Sequence, residues 1–278
     1  MKVHNRNKVR YTNNNIIDID NVMRNKILDG GSYFNDNSQA AGRFANHFFR
    51  DLACSFIAGK NNTKFLYGPY KHKILRLGIN LFEGEKNYND VITLNDQTFF
   101  QYINEDKKLE KNFSLYSSYC QTDKFANYLY NFLNENENKK RIIEHNVYKE
   151  RYNNNNDVFI HIRLGDVSHF QENNHNFEYF DNILQNLKFD KGYISSDSIN
   201  HDICQKLINK YNLNIFNEEE VQTIMFGSTC KHIILSAGTF SWMIGIFGFF
   251  SQVYYKPIKH RWYSDEIFNI PTWNKIST

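Results

Sequence analysis

The sequence predicts an α/β protein built on a parallel sheet, and three observations predict it. A short apolar run at 158–162 has the pattern of a strand buried on both faces, and further strands are expected at 191–194 and 232–235. Around them, apolar residues recur three and four apart over 177–187, 201–211 and 219–230, the period of helices that turn one face to a core. Each expected strand also ends in a polar or small-residue cluster: Arg163, Gly165 and Asp166 after the first, Ser195, Ser196 and Asp197 after the second, Ser236, Gly238 and Thr239 after the third. Strands alternating with helices make parallel sheets, and ligands of such sheets bind outside the carboxyl ends of the strands. The three clusters are therefore expected at one edge of one sheet.

In chain order, a weak strand at 25–28 precedes Gly30, Gly31 and a polar loop. From Asn46 onward Phe48, Phe49, Leu52, Ala53, Phe56 and Ile57 recur at helical spacing, which puts Gly42 and Arg43 at the entry of an amphipathic helix. Residues 64–67 read as a strand. Residues 90–148 read mainly as helices, with Phe125, Tyr128, Leu129, Phe132 and Leu133 forming an apolar face. The polar run 152–157 is the expected linker. A further short strand is expected at 213–216, and a last helix opens at Thr239. The chain divides on this reading into 1–152 and 153–278, both of ordinary domain size.

With 41% hydrophobic and 16% aromatic residues, the 278-residue chain can bury a core despite a mean hydropathy of −0.62, so global disorder is excluded. The 33 basic and 30 acidic residues leave a net charge of +3. They are mixed along the chain, so no basic stripe calls for a nucleic-acid partner, and the 18 Tyr and 24 Phe fall mostly at core positions. Cys54, Cys120, Cys204 and Cys230 are too scattered for a zinc site and read as buried thiols. The opening MKVHNRNKVRYTNNN has charge but no apolar run, and the apolar stretch 233–250 is broken by Ser236, Gly238, Thr239 and Ser241. The expectation is a protein with no leader or integral membrane segment, cytoplasmic or peripheral to a membrane. The sequons at Asn61 and Asn112 read as chance matches.

Arg163 carries a fixed fork of donors that matches a phosphate and stays charged at any working pH; an ion pair with Asp166 is the alternative use. At 236–241, hydroxyl residues sit at a strand-to-helix turn, where free backbone N–H groups favour an anion or simply a helix cap. Asp197 can accept from two adjacent donors of a nucleobase or ribose, or cap a helix together with Ser196.

These segments carry a family resemblance. HIRLGD at 161–166 resembles the H-x-R-R-G-D signature of α-1,2-fucosyltransferases, and GRFANHFF at 42–49 is similar to their G-R-x-G-N-x-x-F opening and to that of protein O-fucosyltransferases. LSAGTFSWMIG at 235–245 resembles their late S-x-S-T-F-S-W-W motif, and all three occur in the family's order. The resemblance implies a GT-B architecture, two Rossmann-like domains facing a cleft, with GDP-fucose as donor, a carbohydrate acceptor, inversion at the anomeric carbon and no metal or other cofactor. Carried over, Arg163 would hold the β-phosphate with Asp166 beside it as the second catalytic residue. His161, Ser196, Asp197, Gly238, Thr239, Phe240 and Ser241 would bind the donor, and Gly42, Arg43 and Asn46 would face the cleft from the first domain. The sequence departs from the pattern at Leu164, where the family has a second Arg, at Ala45, where it has Gly, and at Met243, where it has Trp.

Another nucleotide sugar as donor and a non-catalytic nucleotide- or carbohydrate-binding module are the alternatives. Asp18 and Asp20 form a D-x-D that a metal-dependent transferase would use, but no nucleotide-binding unit precedes it. His47, Asp166, Glu83 and Glu85 are candidate general bases, not ranked by the sequence. Phosphate-loop and nucleophile-elbow motifs are absent. Nothing in the sequence sets the oligomeric state.

Overall fold

The computed structural model describes residues 42–115, 118–165, 176–258 and 265–276. The expected strand at 25–28, the Gly30–Gly31 pair, Asp18, Asp20 and Asp166 lie outside the described residues. Helix α1 (Phe44–Asn61) ends where Asn62 turns left-handed at φ 50°. It is buried on almost every side, as a helix carrying four phenylalanines in its length can be. Then come α2 (Lys71–Arg76), β1 (Val91–Leu94), α3 (Gln101–Asn104), β2 (Asn112–Leu115), α4 (Asp123–Asn134) and α5 (Asn136–His145). The Thr122 side chain caps α4 by accepting from Phe125 N at 3.3 Å.

Two expectations for this half are corrected. Residues 64–67 form no strand: burial alternates along them, but the only bridge nearby is Thr63 to Lys86, so they lack a partner to pair with. The segment 90–148 is not mainly helical either, because β1 and β2 pair in parallel within it. Val91, Ile92 and Thr93 are β-branched and fit a pleated strand better than a helix.

The second half follows the expected alternation closely: β3 (Val158–Ile162), α6 (Phe177–Gln185), β4 (Gly192–Ser196), α7 (Asp202–Tyr211), β5 (Asn214–Ile215), α8 (Glu220–Gly227), β6 (His232–Leu235), α9 (Thr239–Ile246), β7 (Gln252–Tyr255) and β8 (Asn274–Lys275). Its six strands are all parallel in the order β5-β4-β3-β6-β7-β8. Counted from β3, that is the 3-2-1-4-5-6 order of a doubly wound, Rossmann-like sheet. Both edge strands are only two residues long, which limits the exposed ladder.

Alternation along β3 builds two cores. Val158, Ile160 and Ile162 join Ile194, Ile234 and the apolar faces of α6 and α7. Phe159 on the other side joins Ile233, Leu235, α8 and α9, and that core continues unbroken into α1 and α4. Phe49 lies 4.5 Å from Trp242 between ring centroids, and Phe48 lies 6.0 Å from Phe247. Ion pairs add to the contact between halves: Lys73 with Glu220 at 2.7 Å, and Arg76 with Glu219.

The polar run 152–157, expected as a linker, is stitched into the second half. Arg151 Nη2 donates to Asp157 Oδ2 at 2.8 Å and Asn155 Nδ2 to Thr229 O at 2.9 Å, while Asp157 Oδ1 accepts from Lys191 N at 3.1 Å. Polar composition reads as loop because it does not reveal which amides will satisfy strand ends. Among the described residues, no helix is long and apolar enough to cross a membrane.

Candidate functional site

The strand order reverses between β3 and β6, so their carboxyl ends form the switch point at which sheets of this kind bind ligands. Arg163 follows β3, and the turn Ser236, Ala237, Gly238 follows β6. Ser236 ties the two ends together: its Oγ accepts from Arg163 N at 2.9 Å and its N donates to His161 O at 3.1 Å. Gly238 has φ +110°, and a Cβ there would meet Arg163 Cδ at 3.0 Å, so glycine lets the arginine stem lie across the turn.

Helix α9 starts directly behind this turn with Gly238 as its N-cap residue. The first-turn amides of Thr239, Phe240 and Ser241 are those a helix leaves without internal carbonyl partners, and its dipole favours negative charge there. Ser241 Oγ lies 2.6 Å from His161 Nδ1 and 3.0 Å from Ser236 Oγ, so one hydrogen-bonded line runs from imidazole to the Arg163 backbone. The Phe240 ring packs 5.1 Å from the imidazole.

His161 is buried, and that burial pulls its pKa down to about 4; Asp197 opposes the shift, and Arg163 and Arg43 add to it. The ring is therefore neutral at pH 7. Because the unfolded chain binds the proton at an ordinary histidine pKa, the unfolded state gains protons first as pH falls from about 6.5 toward 4, and stability declines over that window. His161 alone is expected to contribute roughly 2 kcal/mol of lost stability between pH 7 and pH 5. Urea melts at both pH values check this: His161→Asn should flatten the difference, leaving only the share of other groups such as His232, whose pKa burial also lowers.

The first half contributes Asn46 on α1, whose Oδ1 accepts from Thr239 Oγ1 and from Gln121 Nε2, both at 2.9 Å. Arg43 lies 3.6 Å from Asp197, but with 59% of its side chain exposed the pair is weak. Gly42 has φ +126°, and a Cβ there would strike Asn46 Nδ2 at 2.9 Å. Asp197 is largely occupied by the chain itself: Oδ1 accepts from Leu164 N at 2.8 Å and Gly165 N at 2.9 Å, which anchors the loop after β3. Ser196 Oγ accepts from Ser198 N at 3.0 Å, a turn role.

The structure thus gathers Gly42, Arg43, Asn46, His161, Arg163, Asp197, Gly238, Thr239, Phe240 and Ser241, and engages Ser196 in its own turn. Gln121 is a participant that sequence reasoning missed, and Ser236 was read only as part of the 236–241 turn, not as the tie between β3 and β6. Ser236 stood inside the late motif and was readable; Gln121 carried no signal. Of the candidate bases, His47 packs against Tyr70 with ring centroids 4.8 Å apart, Glu83 pairs with Lys71, and Glu85 is exposed. Compared with known protein families and with curated proteins, the chain matches no family model and no curated sequence.

Proposed function

We propose that the protein is a glycosyltransferase that binds a nucleoside diphosphate sugar at the switch point between β3 and β6. GDP-fucose is the proposed donor and a carbohydrate hydroxyl the acceptor, with the 153–278 half holding the donor and α1 on the acceptor side, in a GT-B manner. One observation carries the reading. The three segments that resemble fucosyltransferase motifs are joined by hydrogen bonds, including Thr239 to Asn46 at 2.9 Å across 193 positions of sequence.

In this reading the acceptor hydroxyl oxygen attacks the anomeric carbon as the bond to the β-phosphate oxygen breaks; the diphosphate leaves with the electron pair, and the hydroxyl proton passes to water. Arg163 and the first-turn amides of α9 offset the charge that develops on it. No enzyme nucleophile is required. Neutral His161 is too deeply buried to take the acceptor's proton; its role is to hold Ser241, and through it the turn at Ser236.

The test is calorimetric titration with GDP, UDP, GDP-fucose and UDP-sugars in EDTA. Selective binding of GDP and GDP-fucose, with Kd between about 1 μM and 1 mM, is expected. Preference for UDP reassigns the donor, and absence of nucleotide binding sinks the reading. A binding module without turnover is the second reading, favoured by Leu164: the residue standing where the family has a second cation is 2% exposed and packed in the core. Release of fucose from GDP-fucose separates the two.

A further inference from the structure

Arg50 lies on α1 one turn beyond Asn46, on the helix face that also carries Arg43. It is only 6% exposed, and its Nε is inaccessible and without a hydrogen-bond partner among the described residues. Arg50 also makes no ion pair there. A guanidinium offers five donors and keeps its charge, so burying one without an acceptor is strongly unfavourable unless something else supplies the negative oxygen.

The chain at 118–121 is laid along the same helix face. Tyr119 borders Gly42, whose added Cβ would lie 3.4 Å from the Tyr119 ring, and Gln121 bonds Asn46 at 2.9 Å. Between them Cys120 takes a left-handed φ of 58°, held by Asp96 Oδ1, which accepts from Cys120 N at 2.9 Å. Asp96 is thus engaged in fixing the turn. Burial raises the pKa of Cys54, Cys120 and Tyr119, and the nearby Arg50 charge works against it at each. A line of polar groups therefore runs from Thr239 through Asn46 to Gln121, with the Arg50 guanidinium close to the neighbouring Cys120 and the buried Asp51 and Asp96 in the same region, while Tyr119 remains part-exposed.

We propose that Arg50 is the floor of an anion subsite that takes a carboxylate or phosphate group of an acidic carbohydrate acceptor. That the ligand is an acceptor rests on the glycosyl-transfer reading; that it is anionic rests on Arg50.

The experiment is thermal unfolding of the full chain at matched ionic strength with inorganic phosphate, glucuronate or neutral glucose, comparing wild type with Arg50→Met and Arg163→Ala. Phosphate, glucuronate or both should raise Tm by at least about 2 °C in wild type and Arg163→Ala but not in Arg50→Met, and glucose should do nothing. Which anion acts identifies the group. No shift in wild type, or a shift that Arg50→Met keeps and Arg163→Ala loses, overturns the proposal. Should Arg50→Met fail to fold, Arg50→Lys keeps the charge and loses the planar fork. It is then expected to weaken anion binding at least about tenfold, and unchanged affinity overturns the subsite. GDP titration of the same proteins separates the two ideas: the subsite stands without the glycosyl-transfer reading if anions bind through Arg50 while GDP binds nowhere.

Discussion

Arg163→Ala is expected to weaken GDP binding by about a hundredfold while moving Tm by less than about 2 °C. Each hydrogen bond to a charged group contributes about 1.5–3 kcal/mol, so losing a two-pronged contact to a diphosphate costs roughly 3 kcal/mol. The fold should tolerate the change, because the bond that ties β3 to β6 runs from the backbone N of residue 163 to Ser236 Oγ and survives any side chain. Arg163→Lys keeps the charge but loses the fork and should fall between, near tenfold. Under the proposed glycosyl-transfer reaction, turnover should drop further, by about 100- to 1000-fold, because charge on the leaving diphosphate would be greatest in the transition state. Calorimetry and calorimetric melting measure both quantities. An alanine variant that binds GDP as wild type does would remove Arg163 from the diphosphate.

The largest effect on stability is expected at Trp242. Its side chain is fully buried, its Nε1 donates to Ile267 O at 2.8 Å, and its ring lies 4.5 Å from Phe49 and 6.4 Å from Trp273. Truncation to Ala removes the ring, leaves a cavity and orphans a carbonyl, for about 4 kcal/mol in total and a fall in Tm on the order of 10 °C. Because Trp242 bears on α1 of the first half from α9 of the second, unfolding should stay a single transition displaced as a whole. Scanning calorimetry decides it: two transitions, with only one displaced, would mean that the halves melt separately. Trp242→Phe, which keeps most of the volume and loses the N–H, should cost about half as much.

What could be read from the sequence tracks how local each cause is. β3 and β6 were legible because short runs dominated by Val, Ile, Leu and Phe leave little choice of structure, and the cluster after each strand followed from the direction of a parallel sheet. Asn46 was legible through the motif around it. Its partner Gln121 was not, since the bond depends on how α1 and the turn at Cys120 approach each other, 75 positions apart. Arg50 was equally silent: one charged residue on a helical pattern reads as surface until the turn at 118–121 packs beside it. Asp197 was legible as a polar residue after β4, but nothing in its neighbours announced that its carboxylate would accept from the backbone of Leu164 and Gly165.

Strand β3 is hydrogen-bonded on both sides in fixed parallel register, Ile160 opposite Ile194 on one flank and Ile234 on the other. A strand shifted by one residue exchanges its faces. Inserting or deleting a single residue within Val158–Ile162 would turn Phe159 and His161 toward α6 and α7, and the Ile162 row toward α8 and α9. Length in this segment is thus a stricter inheritance than identity: Val, Ile and Leu can trade places in it, whereas a codon gained or lost there uncouples Arg163 from Ser236. Divergent descendants of this chain should therefore keep the count of residues from Asp157 to Arg163 unchanged.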